Sequence, residues 1–319
     1  MGSNKTWVPH PSRSLRRVGE RTMKIISIGE VLWDVIGNTE HPGGAPFNFA
    51  IHARQLGHEV CFISAIGKDQ RGQQILEKMA EFDLPTRFMH SDEAYPTGIV
   101  TVSIDSTGQP DYTIHRPAAY DFPVLDHAEK NVLLSPEPDW IYFGTLQQTS
   151  KQAHDLTLSL INSFGRARRF YDVNLRRDCY TPKLVHELMT QTTVLKLNSQ
   201  EAVEIATMLN DSFSTLENFC QIYAERFKFK AICVTRGDQG CAIYMNDHYT
   251  EFLGYPVAVV DTVGAGDAFA AAFVHGFAMK WEPARIADFA NCVGALVAGR
   301  PGATPRWTIK EALQLMRKE

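Results

Sequence analysis

No stretch of the 319-residue chain comes near the roughly 18 uninterrupted apolar residues of a membrane-spanning helix. Cysteine is scarce: Cys61, Cys179, Cys220, Cys233, Cys241 and Cys292 form no Cys-x-x-Cys pair, and several lie inside apolar runs. That pattern fits reduced core thiols in a cytoplasmic protein, not a disulfide framework or a zinc site. Gly 22 and Pro 16 are ordinary values, which excludes collagen-like and low-complexity chains. The chain has no Gly-x-x-x-x-Gly-Lys-Ser/Thr string and no complete Gly-x-Gly-x-x-Gly, so P-loop and dinucleotide folds are disfavoured. A broad basic surface is missing too. Of the net charge of −4, residues 1–22 carry +4 and the remainder −8. An acidic body does not suit the phosphate backbone of a nucleic acid.

With 44% hydrophobic and 21% charged residues, the chain can build a sizeable core of one large α/β unit or two domains. The basic segment 1–22 lacks the apolar core of a secretory signal and reads as a disordered extension, with Met23 as a natural start. Short apolar runs at 24–29, 60–66, 139–143, 169–173, 193–197 and 231–235 read as buried strands separated by helical stretches, among them 46–57 and 70–82. Such alternation predicts a mostly parallel sheet covered on both faces, a three-layer α/β/α sandwich. Segments 98–104 and 110–116 are instead β-branched and aromatic and predict a hairpin around Ser106-Thr107-Gly108-Gln109, a small β appendage. Ligands in such sheets sit at the carboxyl ends of the strands, where the glycine- and acid-rich segments fall.

The most informative segment runs Asp261-Thr262-Val263-Gly264-Ala265-Gly266-Asp267-Ala268-Phe269 and on to Phe273. Its two glycines permit a tight turn, and the alanine-rich run after them is a strong helix former. Free N–H groups at that helix start, aided by the helix dipole, can receive a phosphate or developing negative charge. Asp267 falls in the first turn, placed to take a proton from a hydroxyl as its oxygen attacks phosphorus. A plainer reading makes it a helix cap and nothing more.

In this string the chain resembles the ribokinase-like (PfkB) family of carbohydrate kinases, whose carboxyl-terminal signature is Asp-Thr-x-Gly-Ala-Gly-Asp. Many members carry Gly where Ala272 stands; both are small, so close helix packing survives. The resemblance implies that Asp267 is the catalytic base and that Gly264, Ala265 and Gly266 form the anion hole. Upstream, Gly43-Gly44-Ala45-Pro46-Phe47-Asn48, followed by Gly57, Gly67, Asp69 and Gly72, matches the family's amino-terminal signature. Adjacent glycines would let a polyol press against backbone, and Asn48 offers both donor and acceptor. Gly29-Glu30-Val31-Leu32-Trp33-Asp34 resembles the opening strand, which makes Asp34 a partner for substrate hydroxyls.

Asn198 and Glu201 have the spacing of a helix capping box. In the resembled family the same pair helps place Mg²⁺ and its water. Val234-Thr235-Arg236-Gly237-Asp238-Gln239-Gly240 reads as a hairpin turn before a strand at 241–245. The family pattern sets Thr235, Gly237 and Gly240 beside the nucleotide and Asn291, on a helix at 285–298, in the adenine pocket. Asp172-Val173-Asn174-Leu175-Arg176 resembles the fructokinase and 2-keto-3-deoxygluconate kinase branches, as does His115-Arg116-Pro117-Ala118-Ala119. Arg176 would clamp phosphate oxygens, unless it merely pairs with Asp172. Arg116 would reach a substrate oxygen.

The resemblance covers roughly residues 23–319 and implies a kinase domain with a β-sheet lid from about 34–45 and 95–121. It further implies ATP-dependent phosphorylation of a sugar's primary hydroxyl with Mg²⁺ and a possible monovalent cation such as K⁺ near Asp261. Exposed lid strands commonly need covering, which suggests a homodimer paired through the lids. Fructose is the first choice of sugar. A 2-keto-3-deoxy sugar acid comes second and would need a cation such as Arg116; ribose and adenosine follow. A fructose 6-phosphate kinase is disfavoured for want of a second basic cluster. The competing class is a non-catalytic sugar sensor on the same fold.

Overall fold

The computed structural model describes residues 22–37, 39–104 and 110–316. In chain order the strands are β1 (Lys24–Ile28), β2 (Leu32–Ile36), β3 (Thr39–Gly43), β4 (Glu59–Gly67), β5 (Met89–Asp92), β6 (Gly98–Ile104), β7 (Pro110–His115), β8 (Trp140–Gly144), β9 (Arg168–Asp172), β10 (Val194–Asn198), β11 (Ala231–Thr235), β12 (Cys241–Met245) and β13 (His248–Phe252). The helices are α1 (Ala45–Gln55), α2 (Gln70–Glu81), α3 (His127–Leu134), α4 (Lys151–Ser163), α5 (Pro182–Thr190), α6 (Ser199–Met208), α7 (Leu216–Phe227), α8 (Ala265–Ala278), α9 (Pro283–Ala298) and α10 (Ile309–Leu315).

Nine strands form one sheet in the order β13-β12-β11-β10-β9-β8-β1-β4-β5, parallel except where β12 and β13 pair antiparallel at one edge. Successive side chains on a strand point to opposite faces, and here both faces are apolar. Ile25, Val60, Phe62, Tyr142 and Phe170 enter one core with α1, α2, α8 and α9. Their neighbours Ile26, Cys61, Ile63, Phe143 and Tyr171 enter a second core with α4, α5, α6 and α7. The sheet is thus the middle of three layers. None of the six cysteines forms a disulfide among the described residues, and all but Cys179 are buried.

A smaller sheet, ordered β3-β2-β6-β7, stands on the rim where the parallel strands end. The chain enters it directly from β1, through Glu30 and Val31, and β2 pairs in parallel with β6. Leu32, Val100, Ala118, Tyr120 and Leu146 seat it on the main body. The 98–104 and 110–116 hairpin is therefore half of a four-stranded unit; its Ser106–Gln109 turn lies outside the described residues, as does the basic segment 1–21.

Candidate active site

The first turn of α8 opens at the carboxyl-terminal rim. Gly264 takes φ +78°, and a Cβ there would lie 2.1 Å from the Ala303 carbonyl oxygen, so only glycine fits. No side chain caps the helix, and the Gly266 N–H has no acceptor among the described residues. Asp267, only 8% exposed, accepts a hydrogen bond from Asn48 Nδ2 at 2.9 Å, across 219 residues of sequence. The two signature segments therefore meet at one hydrogen bond. Burial, and then the neighbouring Asp172, push the Asp267 carboxyl up to about 6, against the opposing pull of Lys196, Asn48 and Arg176.

Lys196 is buried, and its ammonium lies 2.9 and 3.0 Å from the two oxygens of Asp172, which also accepts from Tyr142 Oη at 2.9 Å. The pairing follows from register, because Lys196 and Asp172 are Cα partners on β10 and β9. A Cβ built on Gly266 would lie 3.3 Å from Lys196 Nζ. One cation thus stands against the amino end of α8 while neutralising the carboxylate nearest Asp267. The Asp172 partner is therefore Lys196 and not Arg176. Arg176 is exposed, has no carboxylate within ion-pair distance among the described residues, and acts on Glu30, Asp34 and Asp267 through its charge.

The glycine pair works differently from expectation. A Cβ at Gly43 would lie 2.5 Å from Asp34 Oδ2, and one at Gly44 (φ +106°) would lie 2.6 Å from the Glu30 carbonyl oxygen. Both glycines thus admit the chain's own neighbouring atoms. Asp34 is half-buried, and burial raises its carboxyl above the usual range. Glu30 is only 5% exposed; burial lifts it to about 7, opposed by its own backbone amide and Arg176.

On the other side of α8, Asn198 caps α6 and exchanges two hydrogen bonds with Glu201, at 2.8 and 2.9 Å. The second Glu201 oxygen accepts from the Leu175 amide at 2.8 Å, and burial raises its carboxyl. Thr235 ends β11, and Gly237 and Gly240 both take positive φ. Asn291 donates to the Leu253 carbonyl at 3.2 Å, beside the exposed apolar side chains Leu253, Val259, Val260 and Val263.

The family model for pfkB carbohydrate kinases matches residues 19–309. The chain belongs to the pfkB family of carbohydrate kinases. It is 27% identical to a fructokinase of Oryza sativa, over 93% of this chain and 98% of the relative. A fructokinase of Klebsiella pneumoniae is 26% identical, over 91% and 98%. Among solved structures, an uncharacterized sugar kinase from Pyrococcus horikoshii in complex with ATP is 26% identical, with TM-score 0.76 and coverage of 92% and 100%. Two others share the fold: an ATP-bound fructokinase from Xylella fastidiosa (22% identical, TM-score 0.81, 92% and 97% covered) and a 2-dehydro-3-deoxygluconokinase from Thermotoga maritima (20%, 0.80, 93% and 98%).

Within this kinase, two of the expected site residues already have partners in the fold. Arg116 is forked onto the buried Asp121, and its Nη1 donates to Leu146 and Thr149, so it ties the lid to the body instead of standing free for a substrate oxygen. Asp261 commits both oxygens to backbone, accepting from Val263 N at 3.0 Å and Gly302 N at 3.1 Å. No cluster of three or more His, Cys, Asp or Glu suited to a metal occurs among the described residues. Sequence reasoning passed over Lys196, Asp172 and Glu30 as site residues. A lysine inside Val-Leu-Lys-Leu-Asn was the available signal, since a charge in a buried strand demands a partner.

Proposed function

We propose that this kinase transfers the γ-phosphoryl group of ATP to a primary hydroxyl of a neutral small sugar, with fructose as the first choice. The observation that carries the reading is the Asn48–Asp267 contact at the open amino end of α8, with Lys196 against it. Asp267 takes the hydroxyl proton as the oxygen–phosphorus bond forms and the bond to the β-phosphate oxygen breaks, releasing ADP. Gly264, Ala265, Gly266 and Lys196 receive the migrating charge, and Arg176 approaches it from the loop after β9. Asp34 and Asn48 hold sugar hydroxyls beside Gly43 and Gly44. Asn198, Thr235, Gly237, Gly240 and Asn291 border the nucleotide.

Mg²⁺ bound to the phosphates would neutralise charge and align them for transfer. Glu201, whose two oxygens each accept one backbone N–H and are thereby fixed in place, would hold the ion through its water shell with the lone pairs that remain. The same reasoning applies to Asp261 and a monovalent cation such as K⁺.

A neutral sugar is favoured over a sugar acid because Glu30, Asp34 and Asp267 gather here, Arg116 is satisfied by Asp121, and Arg176 is reserved for the migrating phosphoryl group. Ribose and adenosine rank below fructose. The intact base and anion hole weigh against a non-catalytic sensor. Because Asp267 is nearly enclosed, the lid must lift to admit both reactants, and its closure keeps water from the ATP. Ile36 and Tyr112 stand exposed on the lid, which supports a lid-paired homodimer; sedimentation that shows only monomer across a concentration series would remove it. A cytoplasmic setting agrees with the free thiols, and no helix among the described residues is long and apolar enough to cross a membrane.

ADP release is to be followed with fructose, ribose, adenosine and 2-keto-3-deoxygluconate, for the wild type and Asp267→Asn. Fructose should give the highest kcat/KM, and the substitution should cut kcat about a thousandfold while fructose binding persists. Undiminished turnover in the variant would remove Asp267 from its role.

A further inference from the structure

Three buried polar atoms under the lid have no hydrogen-bond partner: Glu30 Oε2, Asn48 Oδ1 and Tyr120 Oη. An unpartnered buried polar group is costly, and of the ten such side-chain atoms among the described residues these three belong to the segments that join the lid to the signature helix α1. Their position is set by the fold. Glu30 lies on the crossing from β1 into the lid, and its carbonyl oxygen meets Gly44, four residues before Asn48. The Tyr120 ring packs against Gly98, at the start of β6, and against Leu32, and its hydroxyl feels the Glu30 charge. The charged groups acting on Glu30 are Arg176, Asp267 and Asp172.

The inventory of these atoms is specific. At pH 8, above its raised value of about 7, Glu30 is mostly ionised and, like the Asn48 oxygen, only accepts, while the Tyr120 hydroxyl also donates. An alcohol both donates one hydrogen and accepts another, so it satisfies Glu30 and Tyr120 together. A carboxylate or keto oxygen only accepts and would leave Glu30 unpaired and repelled. We infer that Glu30, with Tyr120, is a specificity-determining pair that binds a sugar hydroxyl remote from the reacting one and rejects sugar acids. This deepens the proposed function and rests on it. The pair acts on substrate choice and not on the chemical step.

The test compares wild type, Glu30→Gln and Tyr120→Phe in steady-state kinetics with fructose and with 2-keto-3-deoxygluconate, alongside thermal melting at pH 8. Glu30→Gln should raise the fructose KM about tenfold with kcat within about threefold, and shift the fructose-to-sugar-acid ratio of kcat/KM about tenfold toward the acid. Tyr120→Phe should raise the fructose KM by a similar factor without helping the acid. Because Glu30 is buried and forms no ion pair among the described residues, Glu30→Gln should melt no lower than wild type, whereas a residue serving only structure would lose stability. If Glu30→Gln does not fold, Tyr120→Phe decides alone. An unchanged selectivity ratio and unchanged KM in a wild type that phosphorylates fructose overturn this inference and leave the proposed function standing. A wild type that phosphorylates no sugar overturns the proposed function and this inference with it.

Discussion

Replacing Lys196 by Met keeps the side chain's length and removes its charge, which separates two tasks that the ammonium performs. Its first task is to neutralise Asp172, which is fully buried and otherwise satisfied only by Tyr142 Oη. Breaking a buried pair by removing one partner costs about 3–5 kcal/mol, because the remaining charge stays desolvated. The second task concerns Asp267. Asp172 raises that carboxyl and Lys196 lowers it, so the substitution removes the lowering influence and leaves the raising one unscreened. The acid limb of kcat/KM, set by a base near pH 6, should move up by about one to two pH units. The companion Lys196→Met/Asp172→Asn removes both charges. Its melting temperature should recover most of the loss, and the acid limb should return toward the wild-type position. If Lys196 also receives the migrating phosphoryl charge, kcat in the double variant stays about a hundredfold down at pH 8, where its base, back near the wild-type position, is ionised. Full recovery of kcat with recovered stability would show that Lys196 only balances Asp172, and the direct role would have to be abandoned.

Two glycines three positions or fewer from Asp267 should respond oppositely to alanine. At Gly264 the positive φ and the 2.1 Å approach to Ala303 force the backbone to move, so urea unfolding should show a loss of about 2–3 kcal/mol together with lost turnover. At Gly266 an added Cβ meets only Lys196 Nζ at 3.3 Å, so stability should stay within about 1 kcal/mol while the methyl group crowds the anion site and lowers kcat. Acid should weaken the fold through three buried histidines. His58 Nε2 lies 2.9 Å from His275 Nδ1, and His52 is held between the Trp307 indole N–H and the Ala303 carbonyl, each at 3.0 Å. Burial lowers these imidazoles to about 3 for His58 and about 4 for His52 and His275, from 6.5 when unfolded. Their contribution is therefore complete above pH 6.5 and is lost as pH falls toward the folded values, on the order of 2 kcal/mol per histidine between pH 6.5 and 5. A flat melting temperature across that interval would contradict the neutral, buried arrangement.

What could be read from the chain and what could not divides along one physical line. The inner strands were legible because both faces of each are buried, so their apolar character is written into consecutive residues such as Ile-Cys-Val. The edge strands β5, Met-His-Ser-Asp, and β13, His-Tyr-Thr-Glu-Phe, were missed because an edge facing water places no such demand on sequence. The same division runs through the site. Gly264 and Gly44 announce themselves, since a positive φ with backbone at contact distance tolerates almost nothing else. The Lys196–Asp172 pair does not, because its meaning is the register between β9 and β10, and no local pattern records which residue of one strand faces which of the next. Arg116 shows the same limit: its partner Asp121 lies five residues away, and the turn that brings the two together makes the arginine a tie between lid and body, which no local pattern announces. Such pairings depend on how charges are placed across strand and turn neighbours, which is why the reaction class is legible in the signatures while the charge balance around Asp267 is legible only in the folded arrangement.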